Sequence, residues 1–165
     1  VQVTADGTVQ RVAGWAAGPD FEEAVVMAAV SGGDGSLIVG TGFPARLYRV
    51  RDDRAELLAD VGAEQVTALL GTGDGDVLVA TVAPGRLFRW RDGSLNEIAQ
   101  LAEGGIWDLA LFGGEAVAAG GPPASIFKVT ERGLVRWVEL PDVHARCLAV
   151  VPRRDRPNRK PSRCQ

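Results

Sequence analysis

Trp107, Asp108, His144 and Arg146 are the residues of this chain best suited to hold a ligand. An indole offers a flat stacking surface, and a guanidinium takes an anionic group. His144 is the only histidine among the 165 residues. The four can act together only if 107–108 and 144–146 lie on neighbouring elements whose ends border one opening. The competing reading is an ordinary framework, in which Asp108 and Arg146 form an ion pair and Trp107 packs.

Other chemistry is thin. Asp34, Asp74 and Asp76 suggest calcium, but Asp-Gly is a common hairpin-turn dipeptide and the bidentate Glu of an EF-hand loop is missing. Arg46, Arg49, Arg86, Arg89 and Lys128 could form a basic surface. They are better read as solvating a strand and pairing across it with acidic neighbours. Cys147 and Cys164 have no CxxC or metal spacing, and Cys147 reads as a small buried hydrophobe. There is no GxSxG elbow, HExxH pair or Walker loop, and Gly71-Thr72-Gly73 precedes no helix. Neither a cofactor nor a metal is expected.

The elements that must position these residues come from a repeat. Gly33-Asp34-Gly35-Ser36-Leu37-Ile38-Val39 returns forty residues later as Gly73-Asp74-Gly75-Asp76-Val77-Leu78-Val79. Pro44-Ala45-Arg46-Leu47-Tyr48-Arg49-Val50 returns as Pro84-Gly85-Arg86-Leu87-Phe88-Arg89-Trp90. A third copy drifts more, with Ile106 to Leu111 continuing the series of Val26 to Val30 and Val66 to Leu70. The column Met27, Thr67, Trp107, Arg146 varies most, and the next runs Ala28, Ala68, Asp108, Cys147. Where copies agree, a residue serves the repeat. Where one copy turns aromatic or charged, it is free to serve a ligand.

Residues 64–103 show how one repeat folds. Val66–Leu70, Val77–Val82, Leu87–Trp90 and Leu95–Leu101 are short β-rich runs separated by turn chemistry. Ala83-Pro84-Gly85-Arg86 predicts a type II turn, with Gly85 at positive φ. The first two runs are apolar throughout, as for strands covered on both faces, and the fourth carries the charges expected of an outer edge. Four antiparallel strands in a period of about forty residues predict a β-propeller blade. The expected domain is an all-β propeller over 1–151, with a partial blade at 1–21, blades at 22–62, 63–103 and 104–142, and the opening strand of a further blade at 143–151. A basic Pro/Arg-rich tail, 152–165, is expected to be disordered.

The Val-Thr-Ala-Leu strand at 66–69, the Asp-Gly turn at 74–75, Val-Leu-Val-Ala-Thr at 77–81 and Gly-Arg-Leu-Phe-Arg-Trp at 85–90 resemble the propeller blades of the two-component-regulator and NHL type. These are common in bacterial extracytoplasmic proteins, and the resemblance covers roughly residues 1–151. It implies a sensor, a binding platform or, in a minority, an enzyme. Trp107-Asp108 is a WD pair, but it falls on an inner strand and not where WD repeats carry it.

Charge and length narrow the classes further. Residues 1–151 hold 12 Lys/Arg against 20 Asp/Glu, while 152–165 hold six basic residues against one Asp. An acidic body excludes general nucleic-acid binding. No apolar run approaches the ~20 residues of a membrane-crossing helix. After Val151 the prolines forbid the second strand of the next blade. Either the chain is part of a larger ring, or 1–15 and 144–151 close a small one. Open blade edges would favour self-association. The expected function is a non-catalytic binding or interaction module whose protein or small-molecule ligand sits on a propeller face. The alternative is part of a lyase- or lactonase-like propeller enzyme with its site at the channel mouth.

Overall fold

The computed structural model describes residues 2–3, 9–10, 18–21, 24–73 and 75–151. Asp74, Cys164 and the basic tail 152–165 lie outside them, as does most of 1–17. The fold is all-β, and every strand pair is antiparallel. A small pair, β1 (Gln2–Val3) and β2 (Val9–Gln10), precedes twelve longer strands. These follow one another as three four-stranded antiparallel meanders; the first two share one eight-stranded sheet, joined by a single bridge between Gly42 and Gln65, and the third is a separate four-stranded sheet. The first is β3 (Val25–Ser31), β4 (Leu37–Gly42), β5 (Arg46–Arg51) and β6 (Arg54–Asp60). The second is β7 (Gln65–Gly71), β8 (Val77–Val82), β9 (Arg86–Arg91) and β10 (Ser94–Gln100). The third is β11 (Gly105–Phe112), β12 (Glu115–Gly121), β13 (Ser125–Thr130) and β14 (Gly133–Glu139). No helix is long and apolar enough to cross a membrane among the described residues.

Turn chemistry sets these meanders. Asp92 and Gly93 both take positive φ, 48° and 79°, which is the two-residue turn that matches strand twist. The Ala83–Gly85 turn differs from the type II geometry read in the sequence. The Ala83–Pro84 bond is cis, and the left-handed φ of 52° falls on Ala83 rather than Gly85. Phe43–Pro44 repeats this arrangement, with φ 57° on Phe43. A buried hydroxyl closes each turn: Thr41 and Thr81 accept the N–H of Arg46 and Arg86 at 3.1 and 3.0 Å and donate to the carbonyls of Pro44 and Pro84. Gly85 is small for another reason. A Cβ there would stand 2.6 Å from the Gly104 carbonyl oxygen, in the next meander. Ala45 is itself fully buried, so enlarging either residue meets packed atoms.

The meanders pack face against face. Ile38, Leu47 and Val61 of the first bury Val66, Val77, Val79, Phe88 and Trp90 of the second. Leu78, Ala80 and Leu87 of the second bury Ile106, Leu109, Ala118 and Phe127 of the third. Val66 fits because Gly40 opposite lacks a side chain; a Cβ at 40 would lie 2.5 Å from Val66 Cγ1. The second strand of each meander is the most enclosed, β4 and β8 almost throughout. β3 corrects the expectation that first strands are equally covered. Val25, Val26 and Met27 are exposed, whereas Val66 and Ile106, the counterparts of Val26, are fully buried. Val66 and Ile106 have the meander before them to pack on. At the opposite end, Trp137 is half-exposed where its counterparts Leu58 and Ile98 pack on the following meander.

Candidate functional site

Each first strand holds one residue out of register. The ladders of β3 with β4, β7 with β8 and β11 with β12 shift between Val26 and Ala28, between Val66 and Ala68, and between Ile106 and Asp108. The bulged residues are Met27, Thr67 and Trp107, the column that varies most in sequence. A bulged residue leaves the regular pairing and its side chain can be re-aimed, so its type is free to change without altering the ladder.

The contents of that column differ sharply. Thr67 Oγ1 donates to the Ile106 carbonyl and ties the second meander to the third. Trp107 has no such bond. Two residues of the segment after β14 meet its ring: the Arg146 guanidinium carbon is 4.8 Å from the ring centroid, and the His144 ring stands edge-on at 5.8 Å and 76°. A cation over an indole face is attracted by the ring quadrupole. Trp107 and His144 are half-buried and Arg146 is exposed.

Asp108 positions that segment. One carboxylate oxygen accepts the Leu109 N–H at 2.8 Å, and the other accepts the Leu148 N–H at 2.7 Å. Ala145 donates to the Gly120 carbonyl at 3.3 Å and packs with Ala119 and Ala124, while Leu148 joins the same small cluster. Residues 143–151 therefore lie against the third meander without a regular strand ladder. Cys147 is exposed, contrary to its reading as a buried hydrophobe, because nothing described covers the outer side of this segment. The structure thus brings Trp107, His144 and Arg146 together. Asp108 adjoins them as a tether and takes backbone N–H groups rather than Arg146.

Two buried ring nitrogens in this cluster, Trp107 Nε1 and His144 Nδ1, have no hydrogen-bond partner among the described residues. Leaving a buried polar atom unpaired costs about 1–3 kcal/mol. Trp107, but neither His144 nor Arg146, also forms part of the wall of an open groove of about 380 Å³, with Val82, Pro84, Leu101 and Glu103. Gly105 is small because of Val82 of the second meander, whose Cγ2 would stand 2.7 Å from a Cβ at 105.

Neither a protein-family model nor a curated protein matches this chain.

The acidic turns are built from internal pairs. Asp34 accepts both the N–H and the hydroxyl of Ser36 and meets Arg51, and these bonds hold its carboxyl down at about 2. Asp76 is nearly buried and is gripped at both oxygens by Arg91, with Arg89 at 3.8 Å; the Arg91 bonds above all lower its pKa. Among the described residues, no three His, Cys, Asp or Glu side chains gather as for a metal. The recurring cations divide. Arg49 and Arg86 reach Glu56 and Glu97 on fourth strands at 3.6 Å, while Arg89 and Lys128 turn back to Asp76 and Glu115. A second aromatic group escaped the sequence reading: Phe112 and Trp137 lie 5.7 Å apart, with Lys128 over the Trp137 ring at 5.4 Å. Its signal was available, because Trp137 falls where the other repeats carry Leu58 and Ile98.

Proposed function

We propose that the chain is a non-catalytic binding module of the β-propeller type, related to the two-component-regulator and NHL blades it resembles. In this reading the three meanders are blades, 143–151 opens a further one, and the ligand or partner is taken at the mouth of the central channel. The observation that carries it is the convergence of His144 and Arg146 on Trp107, at a bulge where two buried ring nitrogens lack partners. The enclosed second strands and charged outer strands support the blade arrangement. Binding is favoured over general acid–base work because both oxygens of Asp108, the carboxylate adjoining the cluster, already hold backbone N–H groups.

A thermal-shift screen of anionic, neutral and cationic small molecules, run on the wild type and on Trp107→Ala, tests this reading. At least one chemical class should raise the melting temperature of the wild type and leave the variant unmoved. Equal responses from the two proteins to every compound would place binding elsewhere and defeat the proposal.

A further inference from the structure

Resting on the propeller reading, we infer that a second copy of this chain covers the open face of the first meander, and that two copies close head to tail as one ring. The internal junctions show what that face lacks. Between the second meander and the third, Ala68 and Leu70 of β7 share a core with Ile106 and Leu109 of β11. Between the first and the second, Val66 and Val77 are 0% and 4% exposed against the first meander. On the first meander the same positions are bare. Val26 and Leu37, the counterparts of Val66 and Val77, are each 48% exposed, and Ala29, the counterpart of Leu109, is exposed as well. Apolar surface that is open at one place and buried at its repeats marks an interaction face.

The segment 143–151 presents the matching side. Ala145 and Leu148 pack with Ala119 and Ala124 of the third meander. Cys147 and Ala149 stand at the repeat positions of Ala68 and Leu70, and both are exposed. At the internal junction those two positions cover the counterparts of Val26 and Ala29. The chain thus carries both halves of a junction that it already repeats. Within one copy the two halves do not meet, since each stays exposed. The surface that fits the first half is the second half of another copy, with Cys147 and Ala149 of one over Val26 and Ala29 of the next. Such a head-to-tail contact ends either in a closed ring or in an open filament. Each copy brings three meanders and the opening segment of a fourth. Two copies therefore give about eight units, the upper end of the usual propeller range, and three copies would exceed it. The contact closes at two.

Light scattering after size-exclusion chromatography should give the full chain twice its mass of 17.4 kDa. Val26→Glu, at an exposed position, should leave the far-ultraviolet dichroism unchanged. It should raise the dissociation constant of the pair at least about tenfold, because it sets an unpartnered charge inside the contact. Val26→Cys, in a chain whose tail thiol is removed by Cys164→Ser, should be joined to Cys147 of the second copy by a short bismaleimide. The product should run as a dimer and nothing larger. A wild type of single-chain mass overturns the inference, and so does a dimer indifferent to Val26→Glu or one that yields no cross-link. A bridge formed within one chain would mean that the two faces meet internally, and a ladder of larger products would mean that the contact stays open. Either of these overturns closure by two copies. The ligand screen decides the module reading separately, since it reads binding at Trp107 and not association.

Discussion

The junction between the second and third meanders and the junction between the third and the segment 143–151 use the same positions for different ends. At the first, the bulged residue is Thr67, its hydroxyl is satisfied by the Ile106 carbonyl, and Ile106 is fully buried. At the second, the bulged residue is Trp107, its N–H is unsatisfied, and the counterpart of Ile106 is only Ala145. One junction is filled and bonded; the other is lightly packed and leaves an indole N–H unpaired. The difference shows how one position of a retained frame changes its work: a single out-of-register residue goes from a structural bond to an unpaired donor.

The largest effect on this comparison should come from Gly104, where the third meander begins. Its φ is +77°, and a Cβ would fall 1.8 Å from the Gly121 carbonyl oxygen. Gly104→Ala should cost at least about 3 kcal/mol, from an L residue forced into left-handed space against immovable backbone. A denaturant midpoint within error of the wild type would refute the geometry of that turn. Ile106→Ala should follow, at about 3 kcal/mol for a fully buried side chain, whereas Val26→Ala at the same repeat position should lose less than about 0.5 in the single chain. Equal losses at 26 and 106 would mean that β3 is covered as β11 is.

The bulge itself gives a smaller and more pointed contrast. Thr67→Val removes the bond to Ile106 and should cost about 1 kcal/mol, while Trp107→Phe removes an unpaired donor and should leave stability unchanged or raised by up to about 1. Urea titrations of both variants decide it, and a loss on Trp107→Phe as large as that on Thr67→Val would show that the indole N–H is bonded after all. The smallest effect is one of pH. Asp34 has its folded carboxyl at about 2, below the ordinary 3.8, so its contribution is complete above about pH 4 and fades as pH falls towards 2. Asp34→Asn should therefore lie furthest below the wild type at neutral pH and converge on it near pH 2. Parallel melting curves across that range would remove Asp34 from the account of acid stability.

Much of this architecture was legible in the residues. The forty-residue spacing placed the four strands of each meander, because Asp-Gly and Pro turns fix where a chain reverses. The divergent column pointed to Trp107, and the lone histidine to its neighbour. What escaped was whatever depends on register and contact between distant segments. No pattern of residue types says that position 107 leaves the ladder, or that Asp108 would hold Leu148 instead of Arg146. The type II reading of the Ala83–Gly85 turn failed for a related reason. Glycine was taken to mark positive φ, but at Gly85 it marks the close approach of the next meander.

The bulges at 27, 67 and 107 also have an evolutionary and practical meaning. The antiparallel ladder does not read the side chains at these positions, so mutation there samples new recognition chemistry while the hydrogen-bonded frame is inherited unchanged. A methionine, a threonine and a tryptophan already occupy three equivalent places in one chain. Each added repeat would bring one more such variable position, which makes a duplicated scaffold of this kind a natural starting library for selecting new binders.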